Sequence, residues 1–153
     1  MAKPRIGDIV EVSVGVGLAY ALYTHEHDQF GSLLRVFGRI FSTRPNSFEQ
    51  LVDVCPRFET FFPLAAAVRK KIVTLVANVP IPFHLRTFPI FRDGVANATT
   101  GKVETWWLWD GEKEWPVGSI SEEQRKLPLR AVINDTLLRE RILNGWTAEC
   151  DPQ

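Results

Sequence analysis

Two imidazoles and two carboxylates stand together at His25-Glu26-His27-Asp28. In an extended segment His25 and His27 project to the same side, an arrangement that could receive a divalent cation. The other reading is a solvated hairpin tip. A closed site needs further ligands, and the remaining histidine, His84, stands between Phe83 and Leu85, so no metal is expected. Nucleophilic chemistry has less support. Cys55 and Cys150 lie outside any Cys-x-x-Cys pair, and no serine occupies a Gly-x-Ser-x-Gly elbow. Gly15-Val16-Gly17 lacks the third glycine and the following helix of a phosphate-binding loop. A carboxylate pair for acid–base work is not defined by sequence spacing. The chain therefore reads as a non-enzyme without a cofactor.

The run Trp106-Trp107-Leu108-Trp109 carries more information. In a strand, Trp107 and Trp109 share one face while Trp106 and Leu108 share the other, so both faces are bulky and apolar. One reading covers both faces with the sheet and a terminal helix, Trp115 completing the cluster. The other leaves one face open as a patch rimmed by Asp110, Glu112 and Glu114, since aromatic anchors inside a polar rim are what protein interfaces use. From Glu104 to Glu123 six acidic side chains face a single lysine, Lys113, which makes this a local acidic surface. Arg69-Lys70-Lys71 is its basic counterpart, a turn that is either solvated or in contact with phosphates.

These residues are positioned by short elements. Ile6, Ile9, Val10, Val12 and Val14 predict a first strand, with Gly15 and Gly17 supplying positive φ where it reverses into a second strand through Tyr23. Leu33 to Phe41 predicts another strand, with Gly38 as a bulge. Ser47-Phe48-Glu49-Gln50 has capping-box spacing for a short helix through Val54, ended by Pro56. Ala65–Val68 and Ile72–Val79 read as paired strands around Arg69-Lys70-Lys71. Pro80, Pro82 and Pro89 then impose an extended passage poor in ladder bonds. Val103–Trp109 and Lys113–Val117 flank the hairpin-turn pair Asp110-Gly111. Ser121-Glu122-Glu123-Gln124 is a second capping box. Asp135 or Thr136 caps a last helix containing Leu137, Leu138, Ile142 and Leu143, with Gly145 just past its end. The sum is a mainly β (α+β) fold: a twisted antiparallel sheet or partly open SH3-like barrel with a few short helices, in one domain over residues 1–153.

Bulk properties set the remaining bounds. Eighteen basic and eighteen acidic residues cancel, so no global field draws the chain to nucleic acid or an anionic membrane. The longest apolar run, Phe61 to Val68, contains Pro63 and is far too short to span a bilayer. Met1-Ala2-Lys3-Pro4 leads straight into strand pattern, which predicts a cytoplasmic chain with Cys55 and Cys150 as free thiols. Asn97-Ala98-Thr99 fits a glycosylation sequon and, in that compartment, marks only an exposed loop.

The ordered set KPRIGDIVEVSVGVGLAYALY, LLRVFGRIF, SFEQLVDVCPRFETFF, VTLVANVPIPFHLRTFPIFRDG and WWLWDGEKEWPVGSISEEQRKLPL, spanning Lys3 to Leu129, resembles the family called immunity protein 26. The resemblance implies a protein carried beside a bacterial polymorphic toxin that binds one cognate toxin domain and blocks it without catalysis. It brings no catalytic residues and no residue-level binding motif. An interface on Trp107, Trp109, Asp110, Glu112, Glu114 and Trp115 would fit such a role, its acidity suited to masking a basic cleft. The competing reading is a small β-barrel binding module for nucleic acid or a peptide, using Arg35, Arg39 and Arg69–Lys71. Zero net charge and the acidic hairpin weigh against nucleic acid.

Overall fold

A computed structural model describes residues 3–153. Among these described residues eight strands form two antiparallel sheets, and four short helices accompany them. The first sheet has the order β4-β3-β2-β1-β5, built from β1 (Asp8–Ser13), β2 (Leu18–His27), β3 (Gly31–Val36), β4 (Phe58–Phe62) and β5 (Thr74–Asn78). The second has the order β6-β7-β8, from β6 (Phe91–Asp93), β7 (Trp106–Trp109) and β8 (Glu114–Gly118). Neither sheet closes into a barrel.

Alternation along β1 and β2 explains why the larger sheet is covered on both sides. Val10, Val12, Ala19, Ala21 and Tyr23 face one core with Leu34, Val36, Phe58 and Phe62. Ile9, Tyr20 and Leu22 face the other with Phe37, Phe48, Val52 and Leu85. Helices α2 (Leu64–Arg69) and α4 (Asp135–Leu143) seal the first core through Leu64, Val68, Leu138 and Ile142. Helix α1 (Glu49–Asp53) and a 3₁₀ turn at Phe83–Leu85 seal the second.

The two sheets are joined by the segment 128–133. Arg92 donates its N–H to the Pro128 carbonyl at 2.8 Å and accepts from Arg130 at 3.0 Å, while Phe61 donates to Ala131 and accepts from Ile133. Both contacts are parallel bridges. The segment thus stitches β6 to β4, and leaves β5 and β8 as the two ends of one hydrogen-bonded order.

The mainly β fold with a few short helices matches expectation, two of those helices coming before β5, and several local readings are corrected. Residues 64–69 are helix rather than strand: the alanines favour helix, and Leu64, Ala67 and Val68 bury at helical spacing. The third strand ends at Val36, and Gly38 is no bulge but a seat for Arg57, whose Nη2 donates to the Gly38 carbonyl at 2.7 Å. Phe48, not Ser47, occupies the N-cap of α1, with no side-chain cap. In the first hairpin Gly15 alone takes positive φ; Gly17 does not. The second capping box forms in full at α3 (Glu122–Arg125), and Asn134 caps α4 one residue before the expected position.

Candidate functional site

The hairpin β7–β8 turns on Asp110-Gly111 for reasons visible atom by atom. Gly111 sits at φ +102°, a region that disfavours side chains, and a Cβ there would lie 2.9 Å from the Phe88 ring. Asp110 Oδ1 accepts the backbone N–H of Glu112 at 2.9 Å and of Lys113 at 2.8 Å. Those donors, Lys113 first and Glu112 next, hold the Asp110 carboxyl below its ordinary pKa.

The turn is clamped from the first hairpin. His27 Nε2 donates to the Gly111 carbonyl at 2.8 Å, its Nδ1 accepts from the N–H groups of Gln29 and Phe30, and its ring lies 4.8 Å from that of Trp109. His25 Nε2 donates to the Arg86 carbonyl at 2.9 Å while Nδ1 meets Thr24 Oγ1. Burial is the main cause that lowers the His25 pKa. Both imidazoles are therefore spent on hydrogen bonds that hold loops. Among the described residues no group of three or more His, Cys, Asp or Glu side chains gathers as a metal site.

The hairpin register separates the tryptophans. Trp109 pairs with Phe91 and Glu114, Trp107 with Asp93 and Pro116, and Leu108 with Arg92 and Trp115. Trp109 and Trp107 thus share a face, but Trp109 is 5% exposed beneath Phe61, Phe88 and Phe30, whereas Trp107 is 38% exposed. Trp115 is half-buried on the opposite face. Trp106 is buried on the guanidinium of the fully buried Arg92, 4.5 Å from its ring. The expected interface is corrected accordingly: Trp109 belongs to the core, because Phe30, Phe61 and Phe88 cover its end of the strand, and Trp115 faces away from Trp107. Trp107, Asp110, Glu112 and Glu114 remain exposed.

Trp107 lies on the wall of an open cleft of about 490 Å³ with Asp93, Glu104, Thr105, Glu114 and Arg130. Arg130 binds Asp93 Oδ2 through Nε at 3.0 Å and Nη2 at 2.6 Å, and Glu114 Oε2 through Nη1 at 3.0 Å. Its guanidinium also stands 5.2 Å from the Trp109 ring. One cation thus lies by the buried tryptophan and binds two of the acids that share the cleft with the exposed one. Three carboxylates against one guanidinium leave the cleft acidic, and its outer wall is the loop 94–105, closed by the Ala96–Val103 bridge. Asp93, Glu104 and Arg130 join the hairpin only through tertiary structure. Asp93-Gly94 has turn chemistry of its own, while nothing around Arg130 marks it as a partner of Asp93.

The basic residues of the competing reading do not all lie at the surface. Arg35 is 4% exposed, donating to Thr24 Oγ1 and to the carbonyls of Leu85 and Thr87, with Glu59 at 3.6 Å. It fastens the proline-rich passage to β3 and is withdrawn from any ligand. Desolvation raises the Glu59 pKa. Arg39 stacks on Phe41 at 4.4 Å. Cys55 and Cys150 are free and exposed. No helix of the described residues is long and apolar enough to cross a membrane.

Comparison with family models, with curated proteins and with solved structures returns no match to this chain.

Proposed function

We propose that this chain is an immunity protein that binds a cognate bacterial toxin domain through the β7–β8 hairpin and the cleft beside it. The observation that carries the reading is Trp107: a large aromatic side chain, 38% exposed, set in an open cleft among Asp93, Glu104 and Glu114. Such a residue costs free energy in water and contributes most when a partner covers it. The surrounding carboxylates of Asp110, Glu112 and Glu114 fit a basic partner and steer its approach. The ordered resemblance to immunity protein 26 supplies the class of partner, and no step of catalysis is needed.

The test is protection. The chain, captured from its host at moderate salt, is expected to retain one toxin C-terminal domain, and co-expression of the two in a sensitive host restores growth. Trp107→Ala weakens that complex by about 2 kcal/mol, roughly thirtyfold. Full affinity in Trp107→Ala and in Glu112→Lys moves the interface elsewhere. Retention of nucleic acid in place of a toxin domain replaces the immunity reading with the binding-module one.

A further inference from the structure

The two ends of the hydrogen-bonded order are built differently. The outer strand β8 contains Pro116, which has no N–H to offer, and carries Glu114 with Glu112 beside it. Proline and charge are the usual means by which an edge refuses a further strand. The strand β5 has neither, and its one irregularity is a register shift against β1 between Ile9 and Val10 that leaves Val76 without a direct partner there. Thr74-Leu75-Val76-Ala77-Asn78 contains no proline and no charged residue, with β-branched Thr74 and Val76 suited to pairing. One side of β5 pairs with β1. On its other side, among the described residues, no strand, bridge or loop backbone is bonded to it.

Charge at the ends of this edge decides what can occupy it. Arg69, Lys70 and Lys71 precede β5, all exposed and none in an ion pair among the described residues. At the other end Asn78 Nδ2 donates to the Ile6 carbonyl and Val79 N–H to the Gly7 carbonyl, which ties the segment just after the exposed Lys3 and Arg5 to the end of β5. The nearby acids are already engaged. Asp8 accepts from Asn78 and from the Arg5 N–H, Glu11 is held by Tyr20 and Arg44, and Asp135 pairs with Arg139.

A second copy of the chain is therefore a poor occupant. Antiparallel pairing of β5 with its own copy about Val76 sets Arg69–Lys71 of one molecule toward Lys3 and Arg5 of the other, cation against cation. A strand with carboxylates at both ends meets opposite charge instead. We propose that the open edge of β5 is a strand-addition site that takes an extended segment of a partner protein, β-branched in its middle and acidic at both ends. Main-chain hydrogen bonds supply the affinity and the flanking cations select the partner. The inference does not rest on the toxin reading, which uses the acidic end of the molecule.

The probe is a capped peptide of alternating valine and threonine with two glutamates at each end, added to the full chain. Saturable binding by fluorescence anisotropy is expected, with slowed amide exchange confined to β5. The same peptide with lysines in place of the glutamates binds at least about tenfold more weakly, as loss of several exposed ion pairs requires. Val76→Pro abolishes binding. Because that change can also unfold the strand, Arg69→Glu with Lys70→Glu is the second variant: it leaves the thermal midpoint in place and removes most of the preference for the glutamate peptide, since Lys71, Lys3 and Arg5 are the cations that remain. Absence of protection in β5, equal binding of the two peptides, or protection of β5 by self-association without peptide overturns the proposal.

Discussion

Two rows of the same sheet face, two residues apart, have opposite fates. Phe91, Trp109 and Glu114 form one row, and Asp93, Trp107 and Pro116 the next. Phe91 and Trp109 of the first are roofed by Phe61 and Phe88 and become core, Glu114 at its edge staying exposed; Asp93 and Trp107 of the second become the wall of a cleft. Side-chain type does not separate them, since a tryptophan occupies the centre of each. What separates them is how far the aromatic roof reaches: Phe61 and Phe88 cover Phe91 and Trp109, whereas Trp107 lies on an open cleft. Arg130 stands at the border, its planar cation near the Trp109 ring and its donors on the carboxylates of Asp93 and Glu114.

The largest effect is expected where the roof is. Trp109→Ala removes a ring packed within 6.0 Å of Phe30, Phe61, Phe88, Phe91 and His27, and urea unfolding should show a loss of about 3–5 kcal/mol. A loss below about 1 kcal/mol would mean that the first row is not core. Arg130→Met comes next. It leaves two carboxylates without their shared cation and is expected to cost about 1–3 kcal/mol, as hydrogen bonds to charged groups do. Unchanged stability would assign the border to the aromatic roof alone. Trp107→Ala should cost about 1 kcal/mol or less, as surface changes do, while weakening the partner complex as stated above. Equal losses in Trp107→Ala and Trp109→Ala would erase the difference between the rows.

The same contrast marks what could be read from the residues alone. Alternating β-branched side chains define β1 and β2, Asp110-Gly111 defines the turn of the second hairpin, and Ser121 to Gln124 defines its capping box, because each is a local device whose chemistry lies within a few residues. Ala65 to Val68 misleads for the opposite reason: an apolar stretch this short fits strand or helix, and the buried core beneath Leu64, Ala67 and Val68 joins the alanines in selecting the helix. The candidate site was half legible. Trp107, Asp110, Glu112 and Glu114 stand where the aromatic and acidic pattern put them, on the surface of one hairpin. Asp93, Glu104 and Arg130 complete the cleft from other segments, and Trp109 and Arg35 leave the surface, because burial by distant elements has no signature in neighbouring residues.

The smallest effect lies at the turn that holds both rows in register. Asp110 is exposed, and its carboxylate accepts the N–H groups of Lys113 and Glu112, which lowers its pKa in the folded chain. A lowered folded-state pKa means that the contribution is complete above the ordinary carboxylate value of about 3.9 and is lost as pH falls through the lower folded value. Because the group is at the surface, the loss is expected in local opening of the hairpin rather than in the global midpoint. Amide-exchange protection of Glu112 and Lys113 should therefore decline as the pH drops below that ordinary value, while protection in β1 and β2 holds. In Asp110→Asn the neutral amide oxygen accepts the same two donors at every pH, so the decline should vanish and the hairpin should keep its protection. Protection that falls equally in the wild type and in Asp110→Asn would show that the turn is held by Gly111 and His27 alone, and that the two rows keep their register without the carboxylate.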